Sequence, residues 1–307
     1  MKKRFIAIIA LILVLTGCFG IGAGADTAYS ANIKITITTA SGNKQETVVT
    51  TAVPGQWQTP CINAPYDYQY QDDTRFIAID KVSEDGITYF VADVQLADAA
   101  GFKTALSGGT AYGDLEQVSD MARQNNAILA INGDDYATQK YGTIIRNGTL
   151  IRANATTRNM LIVDQNGDMS VLSDRKGENP KTLSQKLISQ NVMQTFEFGP
   201  ELVRDGEAVD FNRAFDVIST SSTRREPRTA IGQIDTLHYI IIVADGRQEG
   251  YSVGMTLPEL QQLFIQYGAQ TAMNLDGGGS SELWFLGDVL NRPAGGEERY
   301  ISDIIFF

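Results

Sequence analysis

Three apolar runs in this chain each end in a polar residue or an acid joined to glycine: Ile131-Asn132-Gly133-Asp134-Asp135, Ala244-Asp245-Gly246-Arg247 and Asn274-Leu275-Asp276-Gly277-Gly278-Gly279-Ser280-Ser281. Any one of them alone reads as a turn, since Asn-Gly and Asp-Gly are the commonest hairpin dipeptides. Three glycines followed by two serines exceed what such a turn requires. Bare backbone from Gly277 to Gly279 lets several N–H groups point at one oxyanion, and the Ser280 and Ser281 hydroxyls add donors. The loop therefore suits phosphate, although no lysine follows its glycines as in the common nucleotide loop. Asp134, Asp245 and Asp276 are the candidate catalytic carboxylates, with Asp135 and Glu282 beside them, and such a set serves either acid–base work or a hard cation. Arg146, Arg228, Arg247 and Arg299 carry positive charge near the same motifs, and an arginine fork matches two phosphate oxygens. At least half of these arginines are expected to pair with carboxylates instead.

These loops need strands and helices to hold them. Thr256-Leu257-Pro258-Glu259 is a capping box with proline in the first turn, Leu257, Leu260, Leu263, Phe264 and Tyr267 recur on one helical face, and Gly268 stands where a C-cap glycine belongs. The strand Thr271 to Leu275 follows at once. Leu115, Val118, Met121 and Ala122 mark a similar helix before the strand Ala127 to Ile131, and the run Tyr239 to Ala244 reads as a central strand. Asn32 to Val53 alternates with period two, Asp85-Gly86 joins the strand-like runs Phe76 to Ile79 and Ile87 to Val94 as a hairpin, and Ile301 to Phe307 closes the chain as another strand. The fold expected is α+β or mixed α/β, one main domain with a central mixed β-sheet flanked by helices. In such open sheets ligands gather beyond the strand ends. His238, inside a strand, reads as structural.

Composition narrows the partners. A formal charge of −11 argues against nucleic acid and anionic membrane, which are held by surplus Lys and Arg. Lys2, Lys3 and Arg4 before an apolar run to Ala25 form a signal-peptide layout, so the chain is expected outside the cytoplasm, extracellular or at the cell surface. Two exits are readable: cleavage after Ala23-Gly24-Ala25, or a lipobox at Leu15-Thr16-Gly17-Cys18 that would place a lipid anchor on Cys18. The domain plan is a signal peptide over 1–31, a β-rich segment over 32–94 joined to the main domain, and the main domain over 95–307. Cys61 is then the one remaining cysteine, so no intramolecular disulfide forms, and the single histidine excludes any site needing two imidazoles.

The ordered set Ala130-Ile131-Asn132-Gly133, Arg146-Asn147-Gly148, Phe198-Gly199-Pro200, Pro227-Arg228-Thr229-Ala230-Ile231-Gly232, Asp245-Gly246-Arg247, Ser252-Val253-Gly254 and Asn274 through Ser281 resembles the phosphodiester glycosidase family from about Ala127 onward. Tyr89 through Val94 is similar to the bacterial branch upstream. Asp134-Asp135-Tyr136 departs from the lysosomal branch, which has glycine and aromatics there, and this weakens any transfer of substrate identity. The resemblance implies hydrolysis of a sugar joined through its anomeric carbon to a phosphodiester, on envelope or extracellular glycans, with no cofactor required. A phosphate monoester is already a good leaving group, so the enzyme must mainly hold the departing phosphate and set a carboxylate near the sugar. Asn132, Gly133, Arg146, Arg228, Arg247, Asn274, Gly277, Gly278, Gly279, Ser280 and Ser281 are the expected substrate- and phosphate-binding residues; Asp276, Asp245 and Asp134 are the expected catalytic ones. Two alternatives stay open: a metal-assisted phosphodiesterase using a divalent cation on Asp134, Asp135 and Asp276, and a non-catalytic module that binds envelope polysaccharide.

Overall fold

Residues 57–173, 175–211 and 223–307 are described by the structure, a computed structural model, together with the backbone of strands 30–38 and 44–52. The signal peptide over 1–31 and its lipobox cysteine, Cys18, lie outside the described residues but for the first residues of the strand Ser30–Thr38. Contacts divide the chain into two units, Met1–Gln56 and Trp57–Phe307. In the first, the alternating segment forms an antiparallel hairpin of Ser30–Thr38 with Lys44–Ala52.

In the second unit, β-branched and aromatic runs pair into an eight-stranded and a five-stranded sheet. The larger one runs, in spatial order, through Glu201–Arg204, Thr271–Asn274, Arg228–Asp235, His238–Ala244, Ile87–Leu96 and Arg75–Glu84, with short strands at both edges. Asp85 and Gly86 both take positive φ, 49° and 73°, the geometry of a two-residue hairpin whose twist matches its strands. The smaller sheet centres on Leu129–Asn132, flanked by Leu283–Phe285 and Asp303–Phe306.

Alternation along the strands buries both faces of each sheet. Ile77, Phe90, Val94, Ile241, Val243 and Met273 meet Leu129, Ile131, Leu283 and Ile305 in a core between the sheets. On the opposite face of the larger sheet, Val91, Ala230, Ile240 and Ile242 receive Leu257, Leu260 and Phe264 of helix α3 (Leu257–Gln266). Val118, Met121 and Ala122 of helix α1 (Val118–Gln124) cover the outer face of the smaller sheet through Ala130, Ile304 and Phe306. Helix α2 (Pro180–Ser189), which has no counterpart among the expected helices, seats Leu183 and Leu187 on Met160 and Val192 of a three-stranded sheet.

The expected central mixed sheet is thus corrected in two respects. Strands dominate, with two sheets face to face and helices on the outer faces, and every strand pairing among the described residues is antiparallel. The strand–helix–strand unit at α3 explains the difference. His238–Ala244 and Thr271–Asn274 do run the same way, but Arg228–Asp235 lies between them and pairs antiparallel with both. The capping box is present: Thr256 Oγ1 accepts from the Glu259 N–H at 3.3 Å and Glu259 Oε2 accepts from the Thr256 N–H at 2.9 Å.

Candidate functional site

The ends of Leu129–Asn132 and Thr271–Asn274, one from each sheet, meet through one buried side chain. Asn132 Nδ2 donates to the Asp276 carbonyl at 2.7 Å, and Asn132 Oδ1 accepts from Thr229 Oγ1 at 2.8 Å and from the Glu282 N–H at 3.2 Å. An amide offers both donor and acceptor, so one residue joins three segments. Gly133 permits the junction, because a Cβ there would stand 2.3 Å from Asp303 Oδ1. Asn274 braces the next turn, donating to the carbonyls of Gly199 and Leu275.

Beyond this junction Asp276, Asp135, Ser280, Thr138, Arg299, Tyr300 and Ser302 line a pocket of about 200 Å³. The Asp276 carboxyl accepts from the Gly277 N–H at 2.9 Å and from the Ser280 hydroxyl. Desolvation, assisted by the negative Asp135, nevertheless pushes it up to about 6, against the opposing pull of those donors and Arg299. Asp135 accepts from Arg158 Nη1 at 2.7 Å, and the guanidinium sits 4.5 Å above the Tyr141 ring. Burial raises Asp135 as well, with Arg158 working the other way.

The glycine loop differs from the open anion nest expected of it. Gly278 N–H donates to the Pro227 carbonyl, Ser280 and Ser281 N–H close a 3₁₀ turn on Gly277 and Gly278, and Gly277 N–H serves Asp276. Its glycines instead let two arginines approach. A Cβ on Gly278 would be 3.1 Å from Arg247 Nη2, and one on Gly279 would be 2.5 Å from Arg299 Cδ. Donors for an anion thus come largely from guanidinium groups lying on bare backbone. Arg247, with φ 59°, is steadied by Glu226 at 2.5 Å and keeps about half its side chain exposed (52%).

Other expected site residues are placed away from the pocket's lining. Asp134 and Arg146 form a buried cluster with Asp303: Arg146 Nε donates to Asp303 Oδ2 at 2.6 Å and Nη2 to Asp134 Oδ2 at 3.0 Å, with Nη1 on the carbonyls of Ile145 and Thr195. Its guanidinium lies 4.3 Å from the Phe196 ring centre. Arg228 is buried, donating to the carbonyls of Met255 and Arg224, and burial lowers it to about 10. Asp245 accepts from Tyr251 Oη, Asn291 Nδ2 and the Arg292 N–H, so it ties a loop together. His238 is the first residue of its strand and not inside it as expected, yet it is buried between Asp93 and Gln58 in a structural role. The Ser281 hydroxyl is buried without a partner.

Residues 125–307 match the phosphodiester glycosidase family. The chain belongs to that family. Among known proteins it is similar to the SPbeta prophage-derived uncharacterized protein YomE of Bacillus subtilis (strain 168), 27% identical over 259 residues. That alignment covers 76% of this chain but 39% of the relative, so the chain spans well under half of that protein. In fold it is similar to the zebrafish N-acetylglucosamine-1-phosphodiester alpha-N-acetylglucosaminidase catalytic domain auto-inhibited by its pro-peptide, with TM-score 0.59, 19% identity, and 83% of this chain and 88% of that one covered. A hypothetical protein from Synechocystis shares the fold at TM-score 0.59 and 15% identity, over 91% of this chain and 68% of that one. For this member of the phosphodiester glycosidase family, the pocket brings Asp135 and Arg299, both named from the sequence, together with Asp276 and adds Thr138, Tyr300 and Ser302. Of the adjacent Asp134 and Asp135, Asp134 pairs with Arg146 while Asp135 lines the pocket.

Proposed function

We propose that this protein is an exported hydrolase that cleaves the glycosidic bond of a sugar-1-phosphodiester, releasing the free sugar and leaving a phosphate monoester, on envelope or extracellular glycans. The observation that carries the reading is one pocket lined by the Asp276 and Asp135 carboxylates together with Ser280 and Arg299. Family membership supports the reaction class. A departing phosphate monoester has a second pKa near about 6 and needs little protonation, so cations holding it do most of the leaving-group work. Arg299 and Arg247 are the residues for that role. Asp276, ionised, stabilises the positive charge that develops at the anomeric carbon. Tyr300, 65% exposed at the rim, offers an apolar face to the sugar ring.

In ¹⁸O-labelled water the heavy oxygen is expected on the sugar and not on the phosphate, because water attacks carbon. Label in phosphate would transfer the protein to the phosphodiesterase class. That second reading needs Asp134, Asp135 and Asp276 around one cation, whereas Asp134 is spent on Arg146, and Asp276 and Asp135 share their pocket with the cationic Arg299. Export has its own check: fractionation of native cells is expected to find the processed chain outside the cytoplasm, and lipid labelling at Cys18 separates an anchored form from a free one. A soluble, unprocessed cytoplasmic chain as the main species would remove export from the reading.

A further inference from the structure

Two glutamates meet behind the glycine loop. Glu282 follows Ser281 directly, is buried at 2% exposure, and is held by its backbone to Asn132. Glu298 immediately precedes Arg299, and its Oε2 accepts from Ser119 Oγ of α1 at 2.7 Å. The Glu298 carboxyl lies within hydrogen-bonding reach of the Glu282 carboxyl. Yet Glu282 Oε1 and Glu298 Oε1 are both buried with no donor directed at them. Two ionised carboxylates have no proton to offer, and neighbouring like charges are disfavoured in a buried place. One proton between them satisfies both oxygens.

We propose that Glu282 and Glu298 share a single proton and that this bond straps the Arg299 segment onto the Asp276 loop, which makes Glu282 a positioning residue for the anion-binding side of the pocket. The positioning role rests on the functional reading above; the shared proton does not. Arg299 Cδ occupies the space a Gly279 side chain would need, so a small slip of the strap moves the guanidinium away from Asp276. On the helix side, Arg123 donates to Ser119 Oγ at 3.2 Å and is balanced by Asp120 at 3.2 Å. On the pocket side Arg299 faces Asp276, and Asn132, at the Glu282 N–H, is neutral. Burial, with the neighbouring Glu298 adding to it, pushes Glu282 up to about 10.

Glu282→Gln keeps a donor at that place and removes the titration. A carboxyl whose folded value lies above its unfolded one stabilises most fully below the unfolded value, here 4.5, and that stabilisation drains away as pH rises toward about 10. Wild type is therefore expected to lose melting temperature relative to Glu282→Gln between pH 5 and 9, by about 5 °C or more. Parallel melting curves would overturn the shared proton. The strap is read separately: Glu282→Ala is expected to raise KM for a sugar-1-phosphodiester about tenfold with kcat within about twofold, while Glu282→Gln keeps the wild-type KM. An unchanged KM in Glu282→Ala, or an equal fall in kcat and kcat/KM, overturns it. Glu282→Met, similar in size but without a donor, replaces the alanine variant if that one does not fold. Melting needs no substrate, so a wild type that turns over no sugar-1-phosphodiester would count against the glycosidase reading while the proton test still decides the pair.

Discussion

Asp276→Asn is expected to lower turnover of a sugar-1-phosphodiester by about 10²-fold or more while the protein stays folded. Asparagine retains the oxygen that accepts from the Gly277 N–H, so the loop keeps its brace, and what is lost is the charge facing the pocket. Stability points the same way. Because the folded value of Asp276 is raised to about 6 from 3.8, its contribution to stability is fully present below the unfolded value and lost as pH rises through about 6. At pH 8 the ionised carboxylate is a cost to the fold, and removing it leaves the melting temperature equal or higher. The same shift fixes the acid limb of the activity: Asp276 works ionised, so kcat/KM falls with pH below about 6 and is level above it. Asp135→Asn takes away a negative neighbour and moves that limb to lower pH. Near-normal turnover in Asp276→Asn would reduce the residue to a loop brace, and a large fall in melting temperature would assign the loss to the loop and not to the charge.

The sequence displayed local rules well and long-range partnerships poorly. The capping box at Thr256, the Asp85-Gly86 hairpin and the amphipathic face of α3 were legible because each depends on residues a few positions apart. The three acid–glycine loops were legible as strand ends for the same reason. What was not legible is which chain crosses which. Nothing near Tyr239 tells that Arg228–Asp235 will lie between two parallel strands, so a strand–helix–strand pattern read as a mixed sheet became an antiparallel one. The glycines at 278 and 279 carried a true signal of close approach, but the approaching groups are Arg247 and Arg299, and only the tertiary fold brings them there. Asp134 and Asp135 are the sharpest case, because which of two adjacent carboxylates reaches the pocket depends on partners far away in the sequence. Arg146 takes Asp134, and Asp135 lines the pocket.

Arg146→Ala is expected to destabilise the protein by about 3–5 kcal/mol, the usual result of removing one partner from a buried ion cluster. Arg146 and both of its carboxylate partners are almost wholly enclosed, so solvent does not screen the cluster. Asp303 also accepts from the Asp134 N–H, and Gly133 N–H bonds the Asp303 carbonyl, so this cluster fastens the loop that leads to Asp135. Without the guanidinium, Asp134 and Asp303 are left as two buried like charges that must take up protons or draw in water. Burial and Asp134 already raise Asp303, with Arg146 opposing them, so its removal raises that carboxyl further. The folded variant then holds protons that the unfolded chain releases, and its deficit is greater at pH 8 than at pH 5. Urea titration at the two pH values measures this directly. A variant that unfolds at the wild-type urea concentration but binds inorganic phosphate more weakly would return Arg146 to the anion-binding residues and take the supporting role away from the cluster.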